Sequence, residues 1–188
     1  HGYKQLEYLE WKADLCRKAT GSLCRIRRVE YINKVVNGKR LNDTYGYKFN
    51  SGSRYYKVLR KWMYPNNKKK FQKRLLKFLN PMGIAIWYMD DGSTYFDKRR
   101  LHCNSFPATC EINTYCHIDE ANEIIDYFNE YWGISFHLHK KADNQYCVRC
   151  YYENSRKLIN LIKPFVVPCM QYKVMIPKES IQECQASQ

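Results

Sequence analysis

Apolar and polar positions in the first third of the chain alternate first with helical and then with strand-like periods. The helical spacing predicts a helix over residues 5–18, and two strand-like runs follow at residues 23–32 and 45–50. A polar segment joins the two strands, and a second helix is predicted over residues 53–62, ahead of Pro65 and a lysine cluster. The apolar residues that share one face of the first helix are Leu6, Leu9, Ala13 and Cys16.

The same order of elements returns in the second half of the chain. A helix is predicted over residues 119–131, two strands over 134–140 and 145–151, and a further helix over 154–162, before Pro164. Helix, hairpin, helix and proline therefore occur twice, which indicates a duplicated α/β unit. The apolar face predicted for the first of these helices consists of Ala121, Ile124, Ile125 and Phe128.

An additional helix and strand pair precede the second copy of this order of elements. The helix is predicted over residues 80–91, because Asn80-Pro81 is typical of an N-cap followed by proline at the first helical position, and Gly92 is placed to end it. The strands are predicted over residues 99–105 and 110–116. If the duplication holds, a similar helix is expected before His1, so the chain is expected to lack one such helix.

Charge and composition narrow the class of partner. The 188 residues carry 32 Lys and Arg against 18 Asp and Glu, a formal net charge of +14, while 45% of the residues are hydrophobic. A foldable chain with this surplus points to a polyanion, most often nucleic acid. A membrane partner fits poorly, since no apolar run approaches membrane-spanning length and the basic residues share no single amphipathic helix.

The nine cysteines are not regularly spaced along the sequence. Cys147 and Cys150 make a lone C-x-x-C without a second pair at zinc-finger distance. Three of the cysteines and one histidine are residue types that could form a metal site. We prefer the interpretation that the cysteines are free thiols of a protein in a reducing compartment. The four residues of that alternative metal site are Cys103, Cys110, Cys116 and His117.

Two consecutive acids close the helix predicted over residues 80–91. Gly83 and Ala85 are small enough to let a partner helix approach, and Asp90 and Asp91 sit at the C-terminal end, where the helix dipole disfavours carboxylates. The plain alternative is a buried helix that ends in a solvated turn. A duplicated unit would instead bring two such ends together, where paired carboxylates could hold Mg²⁺ beside a phosphodiester.

Residues 84–92 (I-A-I-W-Y-M-D-D-G) resemble the second signature helix of the LAGLIDADG homing endonucleases. Residues 8–12 look like the helix that follows the first signature motif of that family. Residues 161–165 are similar to the C-terminal signature of its monomeric, two-repeat, intron-encoded type, together with Pro168, Met170, Tyr172 and Lys173. The resemblance covers nearly the whole chain.

The resemblance implies an α+β fold of duplicated αββαββα-type units. Each unit carries an antiparallel β-saddle that lies in the DNA major groove. On this basis residues 1–67 form a first repeat without its signature helix, and residues 68–78, with six basic side chains between Lys68 and Lys77, form a basic linker. Residues 79–176 form the second repeat, and residues 177–188 form a C-terminal tail.

The resemblance also implies catalytic roles. The last acid of the signature helix binds the divalent metal, Mg²⁺ or Mn²⁺, and here that position is Asp91, with Asp90 beside the site rather than ligating. A lysine near the end of each repeat assists at the scissile phosphate; Lys173 matches it in the second repeat and Lys69 in the first. Because the two-metal scheme needs two acids, a chain without the first signature helix is expected to cleave poorly, unless an N-terminal segment supplies the helix.

Basic residues concentrate where the saddle strands are predicted. Strand alternation places Ile134, Phe136 and Leu138 toward the core and leaves Ser135, His137 and His139 on the other face with Lys141. Side chains on such a face can read base edges, whereas loop lysines contact phosphates. The candidate nucleic-acid contacts are Arg25, Arg27, Arg28, Lys39, Arg40, Lys48, Lys98, Arg99, Arg100, His102, His137, His139, Lys140 and Arg149.

The function that these observations and the resemblance favour is metal-dependent cleavage of double-stranded DNA at a long recognition site. The protein is expected to be a monomer when the N-terminal segment is present. Two alternatives stay open: a maturase that braces an intron RNA on the same saddle, and a DNA-binding protein that has lost the chemistry. No membrane partner is expected.

Overall fold

The computed structural model describes residues 3–32, 35–36, 39–40, 44–96 and 107–175. The chain divides into two units, residues 1–62 and 63–188. Each contains a helix, an antiparallel strand pair and a second helix in that order. The predicted α+β class and the repeated order of elements are therefore confirmed.

The first unit begins with helix α1, Leu6–Thr20, which corresponds to the helix predicted over residues 5–18. It ends at Gly21, whose left-handed backbone (φ 64°) places its N–H 2.8 Å from the carbonyl oxygen of Arg17. Glycine adopts this conformation without the Cβ penalty that other residues meet. The buried residues of the helix are Tyr8, Leu9 and Ala13.

Two long strands follow α1. Strand β1, Cys24–Tyr31, pairs antiparallel with β4, Thr44–Ser51, along its whole length. A two-residue ladder between β2, Val35–Val36, and β3, Lys39–Arg40, lies within the connection and was not predicted. Helix α2, Arg54–Met63, comes next and buries no residue.

In the second unit, a short helix α3, Lys73–Leu76, precedes α4, Pro81–Asp91. The Asn80 side chain accepts a hydrogen bond of 2.8 Å from the Gly83 N–H, which confirms the predicted N-cap. Four residues of α4 are buried, and they anchor the helix in the core of this unit: Ile84, Ala85, Tyr88 and Met89.

A four-stranded antiparallel sheet in the order β5-β6-β8-β7 forms the rest of the second unit's framework. Its strands are β5, Gly92–Phe96; β6, Ala108–Cys116; β7, His137–Ala142; and β8, Gln145–Tyr151. In the described part of the chain β6 pairs with β5 and β8, and the strand predicted over residues 99–105 cannot be compared with it. Residues 97–106 lie outside the described part of the chain. The extended backbone of Gly92 lets a strand start directly where α4 ends, which periodicity did not reveal.

Helices α5, Ile118–Trp132, and α6, Tyr152–Ile162, pack against this sheet. The predicted core of α5 is correct for Ala121, Ile124 and Phe128, but Tyr127 replaces Ile125 as the fourth buried residue. Leu138, predicted to point into the core, is 39% exposed because β7 is the edge strand. The apolar anchors Ile134 and Phe136 lie in the segment just before that strand. None of the helices in the described ranges is long and apolar enough to cross a membrane.

Candidate active site and nucleic-acid interface

The C-terminal end of α4 carries Asp90 and Asp91, the first of them exposed and the second half-buried. The helix beneath them is fixed by its buried apolar residues and by the Asn80 cap at the other end. The two carboxylates therefore project from a rigid element, which is the arrangement that a catalytic or binding site needs.

Gly92 forms the turn between α4 and β5. Its φ of −79° is compatible with any residue, so the requirement for glycine is steric. A β-carbon at this position would lie 2.4 Å from both the carbonyl oxygen and a ring carbon of Tyr88. Only a residue without a side chain allows the strand to leave the helix at Asp91 in this direction.

Lys173 closes the same helix end. Its Nζ donates to the carbonyl oxygens of Met89 at 2.7 Å and Gly92 at 2.8 Å, and lies 3.5 Å from that of Tyr88. Burial lowers the pKa of this ammonium, against the opposing attraction of Asp90 and Asp91. The cation that offsets the two carboxylates at the unfavourable end of the helix dipole is thus a lysine from the end of the same unit.

Two further side chains join this network, and neither was predicted from the sequence. The Asn113 amide nitrogen donates to the carbonyl oxygen of Asp91 at 2.9 Å and to Ser93 Oγ at 3.2 Å. The Thr94 hydroxyl donates to the carbonyl oxygen of Lys173. Because Asn113 is on β6, the sheet itself holds the helix end. A sequence pattern could have revealed these partners only if the β5-β6 pairing were known.

The donors at this end suit a magnesium ion. Mg²⁺ prefers oxygen ligands and is usually held by one or two carboxylates together with waters and substrate phosphates. Asp91, with Asp90 beside it, offers such a set. Within the ranges that the structure describes, no cluster of three His, Cys, Asp or Glu side chains could hold a metal ion. The seven cysteines in the described ranges carry free thiols.

Lys69, the other predicted catalytic lysine, has a different setting. Its ammonium lies 4.6 Å from the centroid of the Phe71 ring, on a loop that lines a pocket with His117 and Glu120 at the start of α5. None of the contacts described for Lys69 joins it to the end of α4. The structure brings Asp91 and Lys173 together, whereas the contact described for Lys69 is with Phe71.

The outer face of the second unit's sheet is centred on a buried acid. Glu111 on β6 is 0% exposed, and its Oε2 accepts hydrogen bonds from Arg149 Nε at 3.0 Å and Nη2 at 2.7 Å. Its Oε1 lies 2.6 Å from Lys141 Nζ, an ion-pair contact without the alignment of a hydrogen bond. Burial raises the pKa of Glu111, but the Lys141 and Arg149 cations outweigh it and leave the pKa lowered.

His137 and His139 lie on this same face. The strand register pairs His137 with Arg149 and His139 with Cys147. His139 Nε2 is 3.7 Å from Glu111 Oε2, and burial together with the Arg149 charge lowers the pKa of this imidazole. By the same register Lys140 falls on the opposite face, where it pairs with Asp143.

In the first unit the register of β1 and β4 separates the predicted contacts. Arg25 and Arg27 share a face with Lys48, which lies directly opposite Arg27. Arg28 falls on the other face, where its guanidinium carbon lies 4.2 Å from the centroid of the Tyr45 ring and Nη2 lies 3.3 Å from Glu30. Arg28 therefore lies on the face opposite to Arg25 and Arg27.

The remaining predicted contacts are only partly within the described residues. Lys39 and Arg40 form β3, of which the backbone alone is described. The contacts that lie outside the described residues are Lys98, Arg99, Arg100 and His102.

Comparison with known proteins gives three kinds of match. A model of the LAGLIDADG DNA endonuclease family matches residues 1–158. The chain is 28% identical to Protein RecA of Mycobacterium gastri over 182 residues, which are 93% of this chain and 39% of that protein. The chain thus spans about two fifths of that relative.

Two relatives have names connected with introns. The probable intron-encoded DNA endonuclease 3 of Mycosarcoma maydis is 32% identical over 100 residues, 53% of this chain and 67% of that protein. The cytochrome b mRNA maturase bI2 of Debaryomyces hansenii is 30% identical over 112 residues, 59% of this chain and 39% of that protein.

The fold has a solved counterpart. The homing endonuclease I-WcaI, in a structure bound to its DNA recognition sequence, superposes with a TM-score of 0.68 at 17% identity, covering 91% of this chain and 72% of that chain. The predicted homing-endonuclease fold is confirmed by this match.

Proposed function

Because this chain belongs to the LAGLIDADG DNA endonuclease family, we propose that it binds a long duplex site in DNA and cleaves it by metal-dependent hydrolysis of phosphodiester bonds. The observation that carries the proposal is the end of α4, where Asp91 projects from a buried helix held by Lys173 and Asn113. Two acids at the C-terminal end of a helix are costly for stability alone, and a cost of this kind is typical of a functional site.

Asp91 is the residue that would hold the metal ion, with Asp90 beside it. When bound, Mg²⁺ or Mn²⁺ supplies Lewis-acid stabilisation of the phosphate and a more acidic water. Lys173 would act as a positioning residue, since its ammonium is engaged by the Met89 and Gly92 carbonyls, and it would also keep positive charge next to the phosphate.

The chain would hold DNA on the outer face of each sheet. In the second unit this face presents Arg149, His137 and His139, and in the first unit it presents Arg25, Arg27 and Lys48. Strands in the major groove can direct such side chains to base edges, and the net charge of +14 supports attraction to phosphates. Lys140 and Arg28 face away and are left out of this readout surface.

Selection from a randomised duplex library tests the proposal. The full-length gene product is incubated with the library without divalent metal, bound duplexes are recovered, and the enriched duplex is then exposed to Mg²⁺. We expect one long enriched site and metal-dependent cleavage within it. Enrichment of no sequence, or an enriched site that no divalent metal causes to be cut, would contradict the nuclease proposal.

A second candidate is binding of intron RNA. The specific observation in its favour is the 30% identity to a protein named a cytochrome b mRNA maturase. The same basic sheet face could bind a structured RNA by shape and phosphate contacts. A competition experiment decides between the two candidates. Labelled enriched duplex is bound to the protein and displaced either by a structured RNA or by unlabelled duplex; displacement by the RNA at the lower concentration favours the maturase role.

A further inference from the structure

We infer that Glu111 is a positioning residue for sequence readout: it holds Arg149 and Lys141 in one orientation on the outer face of the second sheet. The inference rests on the proposed function, because it requires this face to contact DNA. It adds that the buried carboxylate of Glu111 fixes the orientation of the two cationic side chains, Arg149 and Lys141, that would contact the DNA.

The cluster joins three adjacent strands. Glu111 is on β6, Arg149 is directly opposite it on β8, and Lys141 is on β7. Both hydrogen bonds from Arg149, at 3.0 and 2.7 Å, end on Oε2, and Lys141 is 2.6 Å from Oε1. Each carboxylate oxygen is therefore assigned to one cation, so neither cation can rotate away without leaving a buried oxygen uncompensated.

Glu111 is buried, whereas the two cations that it contacts, Arg149 and Lys141, are partly exposed, so their roles differ. Glu111 is 0% exposed, so it cannot touch a base. The Arg149 and Lys141 side chains each keep 24% exposure and reach the surface. The Arg149 guanidinium has five N–H donors and uses two of them in hydrogen bonds to Glu111. Glu111 therefore orients the guanidinium while other N–H donors stay available for a base.

The charge of Glu111 has a second effect. A face with only lysine and arginine binds any duplex through phosphates, and this attraction carries no sequence information. A buried carboxylate removes one unit of positive charge from the face, which weakens that attraction. It also reduces the rotamer freedom that Arg149 would lose on contacting a base. Both effects raise the ratio of specific to non-specific affinity.

The test compares wild type with Glu111→Gln, and with Glu153→Gln as the control. Glu153 is an exposed acid on α6 that pairs with Arg156, so the control makes the same chemical change outside the sheet face. Dissociation constants are measured for the enriched duplex and for a scrambled duplex between 50 and 200 mM salt. For Glu111→Gln we expect discrimination to fall roughly 5- to 100-fold, the range of one bidentate base contact. The slope of log K against log salt should steepen by roughly 1 to 2, one unit for each released cation.

Arg149→Lys provides a second variant that keeps the charge. Lysine cannot reproduce the paired donors of the guanidinium, so we expect lost discrimination with an unchanged salt slope. This variant also decides the matter if Glu111→Gln fails to fold. A purely structural role for the cluster predicts instead that both affinities fall together, with no steeper salt dependence.

The outcomes separate the inference from the proposed function. Wild-type discrimination in Glu111→Gln, on a protein that selects a duplex site, overturns the inference and leaves the proposed function intact. If Glu111→Gln fails to fold, wild-type discrimination in Arg149→Lys has the same consequence. A wild-type protein that binds no duplex overturns the proposed function, and the inference with it. Loss of discrimination in Glu153→Gln equal to that in Glu111→Gln also overturns the inference, since charge alone would then explain the effect.

Discussion

The ammonium of Lys173 donates to the carbonyl oxygen of Met89 at 2.7 Å, across 84 positions of sequence. This bond ties the end of the second unit to the last turn of α4, directly beneath Asp91. Helix C-termini leave their last carbonyls without intrahelical partners. A lysine here satisfies those carbonyls and compensates two acids at once, so the geometry of the candidate site depends on it.

Lys173→Met should destabilise the second unit by about 1–3 kcal/mol, because it leaves partly buried carbonyls without a donor. Urea unfolding followed by circular dichroism measures the change. Lys157→Met is the matched control: its Nζ also donates to a carbonyl at a helix end, that of Gly133 at 3.1 Å, but at the exposed surface. Equal losses in the two variants would show that Lys173 has no special structural role.

Gly92→Ala should be destabilising by about 1–3 kcal/mol, the usual result of forcing atoms into filled space. The added β-carbon would lie 2.4 Å from the Tyr88 carbonyl oxygen. Gly52→Ala serves as the control, since nothing lies within 4 Å of a β-carbon there. A thermal midpoint for Gly92→Ala that matches the control would contradict the close approach described at this turn.

Asn80→Ala should lower stability by about 1 kcal/mol through loss of the hydrogen bond to the Gly83 N–H. The control is Asn122→Ala, at an exposed position inside α5, where alanine is the better helix former. Chemical denaturation of both variants measures the difference. A loss for Asn122→Ala as large as that for Asn80→Ala would count against the N-cap.

The pH dependence of stability should report on Glu111. Its folded pKa is lowered, so its contribution is fully present above the unfolded pKa and is lost as pH falls through the folded value. The groups that face it are Lys141, Arg149 and His139. We expect the stability advantage of wild type over Glu111→Gln to hold at pH 7 and to shrink below about pH 4.5. A constant advantage from pH 7 to pH 3 would contradict this ion cluster.

The elements with clear periodicity could be predicted from the sequence, and the pairings between distant strands could not. Helix α4 is predictable because Asn80-Pro81 marks its start through local chemistry, and β8 is predictable from its boundaries. Strand β5 has only five residues and follows a helix without a loop, so its alternation carries too little signal. For that reason β5 was not predicted as a partner of β6.

The candidate site shows the same division. Asp91 was predictable from the signature-like helix, and Lys173 from the resemblance at the end of the repeat. Glu111 and Asn113 depend on which strands lie beside β6, and the β6-β8 pair joins residues 38 positions apart. No local pattern specifies such a contact, because an acid in a strand has the same sequence signature whether it faces solvent or two cations.

Cleavage and binding of the enriched duplex in Mg²⁺, compared for wild type and Asp91→Asn, provide the decisive test of the proposed metal site. Asparagine keeps the size of the side chain and removes the charge that would hold the metal. Asp143→Asn, an exposed acid at the tip of the β7-β8 turn, is the control. We expect Asp91→Asn to lose cleavage by at least about a hundredfold while its dissociation constant stays near that of wild type. Metal-dependent cleavage by Asp91→Asn at the wild-type rate would contradict the proposed metal site.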